Sequence, residues 1–141
     1  MALFPPDMPR PEPERDDRPF WEACARRELR FQRCADCATA RHPPSPMCPA
    51  CQSVAVEWVA APALARVFTF TIVHHASHPA VPASLPYVVA VVEFPALPGV
   101  RLVTNLTDVD TAAVRIGMPV ALWWDDLGDG LRLPRFRPAQ D

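Results

Sequence analysis

The sequence contains no lysine, and all fourteen of its basic side chains are arginine. This absence has two explanations, a GC-rich genome or a need for planar, bidentate phosphate donors. No apolar run approaches the roughly 20 residues that a membrane-spanning helix needs, and residues 1–7 lack a basic region followed by an apolar stretch. These absences argue against a membrane protein and against a secretory leader.

Strong charge of either sign is also missing. The formal net charge is −2, and residues 59–141 carry six arginines against seven acidic side chains. A surface that follows a nucleic-acid backbone needs an excess of cations, so this balance argues against a polyanionic partner. The length of 141 residues, half of them apolar, suits one domain or two small ones packed together.

Four of the five cysteines form two C-x-x-C pairs, Cys34/Cys37 and Cys48/Cys51, separated by ten residues. Each such turn directs two thiolates to one point, so the two turns supply the four donors of a closed, structural zinc site. The alternatives are disulfides, which need a secreted context, and a redox dithiol, which needs one pair beside a helix N-terminus. The spacing therefore favours a zinc ribbon, and reduced cysteines without an address signal predict a cytoplasmic protein.

Two positions in the ribbon depart from the usual pattern. A ribbon turn usually carries glycine just after its second cysteine, because the backbone there is left-handed. Ala38 and Gln52 stand at these positions, which predicts slightly strained turns. The fifth cysteine, Cys24, is expected to be a small apolar residue of a helix.

The chain is predicted to begin with a flexible tail and a short helix. Residues 1–17 hold five prolines and five acidic side chains, a composition that cannot bury enough surface to become ordered. Asp17 as N-cap and Pro19 near the first helical position predict a helix that runs through Leu29. This helix and the ribbon form the predicted unit 18–60.

Residues 61–141 show the pattern of a β-domain. A last ribbon strand at 54–59 is followed by five apolar or alternating segments, and a short helix at 108–114 ends at Gly117. The five predicted strands are 66–75, 87–94, 100–106, 120–125 and 131–136. Five strands with a short helix between the third and fourth predict an OB-type barrel, so the fold class is mainly β.

Several segments occur together in an order that is characteristic of one family. They are Phe20-Trp21-Glu22, the four ribbon cysteines, Phe70-Thr71-Ile72-Val73-His74, Leu102-Val103-Thr104-Asn105-Leu106, Ile116-Gly117-Met118-Pro119-Val120 and Leu133-Pro134-Arg135-Phe136. The chain resembles, over about residues 18–138, the zinc-ribbon plus OB-fold acyl-CoA-associated family, catalogued as domain of unknown function thirty-five. This resemblance implies a rubredoxin-like zinc ribbon followed by a five-stranded OB barrel.

The resemblance also implies a function in lipid metabolism. Members of this family resemble accessory partners of thiolase-like enzymes, or of hydratases with the hot-dog fold, and help to hold a coenzyme A thioester. Some such pairs cleave steroid side-chain thioesters by a retro-aldol reaction. The chain is therefore expected to be a non-catalytic, acyl-CoA-binding accessory subunit, with zinc as cofactor and a CoA thioester as ligand.

No catalytic set is identifiable in the sequence. His74, His75 and His78 cluster near the end of the first barrel strand, but no serine or cysteine nucleophile with an oriented base accompanies them. A core or rim position is the alternative for His74, and His75 and His78 are interpreted as solvated loop residues. A ligand or partner contact is a further interpretation for His74 alone.

Arginine forks suit the phosphates of coenzyme A, and the only arginine cluster lies beside the helix. The predicted CoA-binding residues are Arg26, Arg27, Arg30, Arg33 and Trp21. The alternative is a solvated face whose arginines pair with Glu22 or Glu28.

Exposed aromatic residues are expected to anchor the partner enzyme. The candidates are Phe20, Trp123, Trp124 and Phe136. Because adjacent strand residues point to opposite faces, one of Trp123 and Trp124 is expected in the core and the other at the interface. The second function considered is single-stranded nucleic-acid binding, since zinc ribbons and OB barrels both serve it, but the charge balance argues against it.

Overall fold

The computed structural model describes residues 2–140, which form one α-helix, two single-turn 3-10 helices and eight strands. The elements, in chain order, are α1 Arg18–Ala25, β1 Arg30–Cys34, β2 Ala40–Arg41, β3 Val56–Ala60, β4 Ala65–Val73, β5 Tyr87–Glu93, β6 Arg101–Leu106, β7 Pro119–Gly128 and β8 Leu131–Pro138. No helix within this range is long and apolar enough to cross a bilayer. The fold is mainly β, as expected.

Helix α1 begins as the sequence predicts but ends four residues earlier. Asp17 is the N-cap, and its carboxylate accepts a hydrogen bond from Trp21 Nε1 at 3.3 Å. The backbone N–H groups of Arg26 and Glu28 both donate to the carbonyl of Ala23, and Arg27 adopts a left-handed φ of 61°. This reversal closes the helix and allows the chain to enter β1.

The ribbon sheet has the order β2-β1-β3, and both pairings are antiparallel. Strands β4 to β8 form a closed barrel in the order β4-β5-β6-β8-β7. Its single parallel pair is β6 with β8, while β4 and β7 close the barrel in antiparallel register. This is the predicted five-stranded OB-type barrel.

A β-bulge in β4 changes which side chains face the core. Simple alternation predicts Phe68, Phe70 and Ile72 on one face and Val67 on the other. The register against β5 shifts between Val67 and Thr69, so Val67, Phe70 and Ile72 all pack into the core. Phe68 is left 36% exposed, with the guanidinium of Arg101 3.7 Å from its ring centre. The expectation based on simple alternation is therefore wrong at the bulge.

The helix, the ribbon and the barrel share one hydrophobic core. Phe20, Phe31, Phe94 and Phe136 form a chain of aromatic contacts with ring-centre distances of 6.4, 5.2 and 6.4 Å. Phe20 is 3% exposed and Phe136 is 1% exposed. The expectation that these two rings are exposed anchors is wrong, because each completes the chain's own core.

The predicted helix at 108–114 is reduced to a single 3-10 turn, Thr111–Ala113. The carboxylate of Asp110 accepts a hydrogen bond from Ala112 N at 2.9 Å and caps this turn. Val114 then buries its side chain, and Gly117 turns the chain into β7 with a φ of 88°. The segment is therefore a capped connection between β6 and β7.

Candidate metal centre and surrounding surfaces

The two C-x-x-C turns converge at one end of the ribbon. The four Sγ atoms of Cys34, Cys37, Cys48 and Cys51 lie within 4.8 Å of one another. The contacts Cys34–Cys51 and Cys37–Cys48 measure 3.6 and 3.5 Å. Zinc–sulfur bonds of about 2.3 Å in a tetrahedron place sulfurs roughly 3.8 Å apart, so this donor set fits zinc.

The two turns repeat the same backbone pattern. Ala38 N donates to the carbonyl of Cys34 at 3.0 Å, and Gln52 N donates to the carbonyl of Cys48 at 2.9 Å. Ala38 and Gln52 have φ values of 65° and 66°, as the sequence predicts for the residue after the second cysteine. Both turns therefore hold a non-glycine residue in the left-handed region, a conformation that costs about 1 kcal/mol.

Backbone donors favour the thiolate form of two of the cysteines. The N–H of Cys37 lies 3.5 Å from Cys34 Sγ and lowers the pKa of that thiol. The N–H groups of Cys51, chiefly, and of Ala50 lower the pKa of Cys48 to about 6. Metal ligation by cysteine requires the thiolate, so these hydrogen bonds favour ligation by Cys34 and Cys48.

The centre has no position for a reacting group. Four protein sulfurs complete a tetrahedral shell, which is the arrangement of structural zinc sites. His42 is not a fifth donor, because its ring packs against Phe20 and Phe31 with centre distances of 4.9 and 5.3 Å. Burial lowers the pKa of His42 to about 4, and its Nδ1 has no hydrogen-bond partner within residues 2–140. The histidine is a neutral core residue.

The arginine cluster is largely ion-paired on the surface. Glu28 accepts Arg30 Nε at 2.9 Å and lies 3.5 Å from Arg26. These two arginines lower the pKa of Glu28, with the hydrogen bond from Arg30 as the largest cause. Arg33 Nε donates to Glu57 at 2.6 Å. Of the four arginines in this cluster, Arg27 alone forms no ion pair in the part of the chain that the structure describes.

Trp21 and Arg30, two of the five predicted CoA-binding residues, line different cavities. Trp21 stacks on Phe20 at 5.1 Å and lines a cleft of 420 Å³ between the helix, the loop after β2 and strands β6 and β8. Arg30 instead lines a separate depression of 280 Å³ at the ribbon–barrel junction. Pro43, Pro44 and Val103 complete the apolar wall of the cleft beside Trp21.

The two adjacent tryptophans face opposite sides of β7, as expected. Trp124 packs against the hydrophobic core. Trp123 is half-buried on the outer side, and its Nε1 donates to Thr107 Oγ1 at 2.9 Å. Trp123 is therefore the one of the four predicted interface residues that combines an outward position with partial exposure.

The histidine cluster contains no oriented base. His74 and His75 are exposed. His78 accepts a hydrogen bond from Ala80 N at 3.1 Å, and within residues 2–140 no histidine side chain is hydrogen-bonded to a hydroxyl or thiol group. His74 is thus free to contact a ligand or partner, which stays a prediction.

A polar cluster on the outer face of the barrel was missed by sequence analysis. Arg135 Nε donates to Asp125 at 3.1 Å, and its Nη1 donates to Asn105 Oδ1 at 2.5 Å. Burial lowers the pKa of Arg135, and Asp125 opposes that effect. The three residues come from three strands, so no local pattern could reveal them.

The ribbon, its closed four-thiolate centre and the barrel together define a zinc-ribbon plus OB-fold protein. Residues 21–57 match the family profile described as ChsH2, rubredoxin-like zinc ribbon domain, and residues 58–125 match ChsH2, C-terminal OB-fold domain. A solved structure described as Ltp2-ChsH2(DUF35) aldolase is 45% identical, covers 93% of this chain and all of that one, and has a TM-score of 0.83. The chain belongs to the ChsH2 family of zinc-ribbon plus OB-fold proteins, and its recognition as a member of domain of unknown function thirty-five is confirmed.

Further relatives have names that describe subunits of enzymes. A probable enoyl-CoA hydratase alpha subunit of Thermomonospora curvata is 46% identical over 93% of this chain. The 3-oxo-4,17-pregnadiene-20-carboxyl-CoA hydratase alpha subunit of Mycobacterium tuberculosis is 41% identical over 90%. The chain spans about two fifths of the length of these curated relatives. A family protein from Sulfolobus solfataricus, 16% identical with a TM-score of 0.60, shares the fold.

Proposed function

We propose that this chain is a non-catalytic accessory subunit of an enzyme that acts on coenzyme A thioesters. The observation that carries the proposal is the similarity to a chain in a structure described as Ltp2-ChsH2(DUF35) aldolase. The two chains are 45% identical, and the match covers 93% of this chain and the full length of the other. A similarity that extends over a complete ribbon and barrel supports a shared role for the whole unit.

The chemistry of the described residues supports an accessory role. A metal in a closed four-sulfur shell has no open position for substrate or water. The odd thiol, Cys24, is fully buried, and burial raises its pKa to about 12, so it is no nucleophile. The proposal therefore assigns the bond-breaking residues to the partner subunit.

The ligand surface is proposed to lie at the helix. Trp21 and the prolines of the adjoining cleft offer an apolar wall for a pantetheine arm or an adenine ring. Arg27 is exposed and forms no ion pair within residues 2–140, although its charge acts on the carboxylate of Asp126, so it can donate to a phosphate without first breaking an ion pair. Arg26 and Arg30 share one carboxylate and keep donors to spare, while Arg33 is engaged by Glu57.

The partner is proposed to be a thiolase-like enzyme. The name of the aldolase relative combines ChsH2 with Ltp2. Two other relatives are named as hydratase alpha subunits, so a hot-dog-fold hydratase is the second partner class. The pregnadiene-carboxyl-CoA name supports a substrate from steroid or lipid breakdown. Free thiolates for the metal site require a reducing compartment, so the proposal places the complex in the cytoplasm.

Reconstitution with an Ltp2-type subunit tests the accessory role. We expect thioester cleavage by the two proteins together, little turnover by either alone, and co-elution as one complex in size-exclusion chromatography. Trp123→Ala should weaken the complex because an outward, half-buried aromatic ring is a typical interface anchor. Robust turnover by this chain alone, or full activity of the lone partner, would contradict the proposal.

Calorimetric titration with an acyl-CoA tests the ligand surface separately. Arg27→Ala should weaken binding by about 1–3 kcal/mol, the magnitude of a lost charge-assisted contact. Arg33→Ala is the matched control, since Glu57 already holds that guanidinium and a smaller effect is expected. Equal affinity of the wild type and the Arg27 variant, alone and in the complex, would instead favour a solvated arginine face.

A further inference from the structure

The outer face of the barrel carries a charged pair that is withdrawn from solvent. Asp125 is 0% exposed, and Arg135 and Asn105 are also buried. These side chains point outward, because their neighbours Trp124, Phe136 and Leu106 pack into the core. Outward-facing charges on a small barrel normally contact water, so another part of the chain must cover them.

The cover is the N-terminal segment. Leu3 N donates to Asp125 Oδ2 at 3.1 Å. The ring of Phe4 lies over the guanidinium of Arg135 at 5.6 Å and packs edge-on against Tyr87 at 5.1 Å. The segment therefore supplies a backbone donor and an aromatic ring to the polar cluster.

A second contact holds the same segment six residues further along. Arg10 Nη2 donates to the carbonyl of Leu127 at 2.6 Å, and its Nη1 lies 3.5 Å from Asp129. Between the two contacts, the segment and the turn between β7 and β8 enclose a groove of 600 Å³ whose wall includes Leu133. Pro5, Pro6 and Pro9 favour an extended backbone across this distance.

These contacts are specific but few. Phe4 is only half-buried, and Arg10 and Asp129 are exposed. Exposed ion pairs contribute little to stability, and a segment of this composition buries little apolar surface. Asp125 Oδ1, although buried, has no hydrogen-bond partner within residues 2–140. The cluster therefore keeps acceptor capacity for an extended chain.

We propose that the barrel surface beneath this segment, formed by Tyr87, Asp125, Arg135 and the carbonyl of Leu127, is a peptide-binding site and that residues 3–10 are its displaceable intramolecular ligand. The site recognises three features of an extended, proline-rich segment. Asp125 accepts a hydrogen bond from a backbone N–H of the segment, and Arg135 and Tyr87 contact its aromatic ring. The carbonyl of Leu127 accepts a hydrogen bond from an arginine six positions after that ring. The proposal rests on these contacts alone and is independent of the coenzyme A function.

A labelled peptide that corresponds to residues 2–11 is the probe. Anisotropy titrations use the full chain in its wild-type form and as the variant Phe4→Ala/Arg10→Ala, which releases the attached segment. We expect the variant to bind the peptide about 10-fold more tightly, because a tethered competitor acts at an effective concentration of about 1 mM. Glu12→Ala is the matched control in the same segment and should behave like the wild type, since Glu12 lies outside the groove.

A second peptide separates specific binding from a general effect on folding. Replacing Phe4 by Ala in the peptide, with the protein unchanged, should abolish binding to the double variant. Equal binding of both peptides, equal binding by all chains, or no binding at about 1 mM peptide would overturn the proposal. A wild-type dimer that exchanges its N-terminal segments, detected by light scattering, would overturn the intramolecular assignment.

Discussion

The ribbon and the barrel are stabilised in different ways. The ribbon exposes several of its apolar side chains, with Val54 72% and Met47 51% exposed, and its most buried groups at the turns are the thiols of Cys34 and Cys48. The barrel buries Val67, Val88, Ala90 and other apolar side chains inside a closed ladder of hydrogen bonds. One region is organised around four ligands and the other around an apolar interior.

This difference shows how two small units can fold as one chain. The ribbon alone has too little apolar surface to offset the entropy of ordering its loops, so it needs a metal ion. Phe31 of β1 lies 5.2 Å from Phe94 after β5, which joins the inner side of the ribbon to the barrel core. The two regions should therefore respond differently to the same kind of damage, although they share one hydrophobic core.

Loss of the metal should have the largest effect. We expect one zinc ion per chain, and Cys34→Ser to release it and unfold residues 30–58, because structural zinc contributes about 10–16 kcal/mol in small ribbons and fingers. Hydrogen exchange should report rapid exchange in β1 to β3 and continued protection in β5. Cys24→Ala, which removes the thiol outside the cluster, should retain the metal. Elemental analysis that finds no zinc in protein purified under reducing conditions would falsify this prediction.

A core truncation in the barrel should give the reverse pattern. Phe136→Ala should cost about 3–5 kcal/mol in the free energy of unfolding, since the ring is fully buried and its loss leaves a cavity. Zinc content should remain unchanged. Phe68→Ala is the matched substitution at an exposed ring on the bulge and should cost less than about 1 kcal/mol. Similar costs for both variants in denaturant titrations would contradict the assigned core.

Acid should weaken the junction through His42. Its folded-state pKa of about 4 lies below the ordinary value of 6.5, so the unfolded chain takes up the proton first as the pH falls. The free energy of unfolding is therefore highest above pH 6.5 and decreases as the pH approaches 4. The expected decrease between pH 7 and pH 5 is about 2 kcal/mol. His42→Phe should remove this part of the pH dependence, and His75→Phe should leave it intact. If the free energy of unfolding depends on pH in the same way for the wild type and for His42→Phe, the interpretation of His42 as a buried, neutral histidine is wrong.

Relief of the strained turns should have the smallest effect. Ala38→Gly and Gln52→Gly should each stabilise the ribbon by about 0.5–1 kcal/mol, because glycine adopts a φ near 65° without a steric penalty. Ala35→Gly, in the same turn but without a positive φ, should destabilise it slightly. Thermal unfolding of the zinc-bound protein measures the difference. A loss of stability in both predicted variants would show that the turns carry no strain.

Prediction from the sequence succeeded where the determinants are local. The cysteine spacing, the left-handed residues after each pair and the strand segments of the barrel were all confirmed. It failed where a side chain's surroundings come from distant segments. The helix stops at Ala25 instead of Leu29, and the bulge in β4 reverses the facing of Phe68.

The candidate ligand surface shows the same division. The arginines next to the helix are visible in the sequence, but the pairing of Arg33 with Glu57 across 24 residues depends on the register of β1 with β3. Burial of Phe20 and Phe136 likewise depends on the ribbon packing on the barrel. An aromatic residue in a sequence does not reveal whether it serves its own core or a partner.

The sequence by itself determined the four clustered cysteines, the order of the elements and the mainly β fold, because these follow from spacings of two to ten residues and from alternation along a strand. Only the tertiary structure decided which aromatic rings remain outside, which arginines are already paired, and that Asp125, Arg135 and Asn105 meet beneath residues 3–4. The physical reason is that strand pairing in the barrel and the packing of the N-terminal segment bring residues separated by 10 to 122 positions into contact. No local pattern encodes those distances.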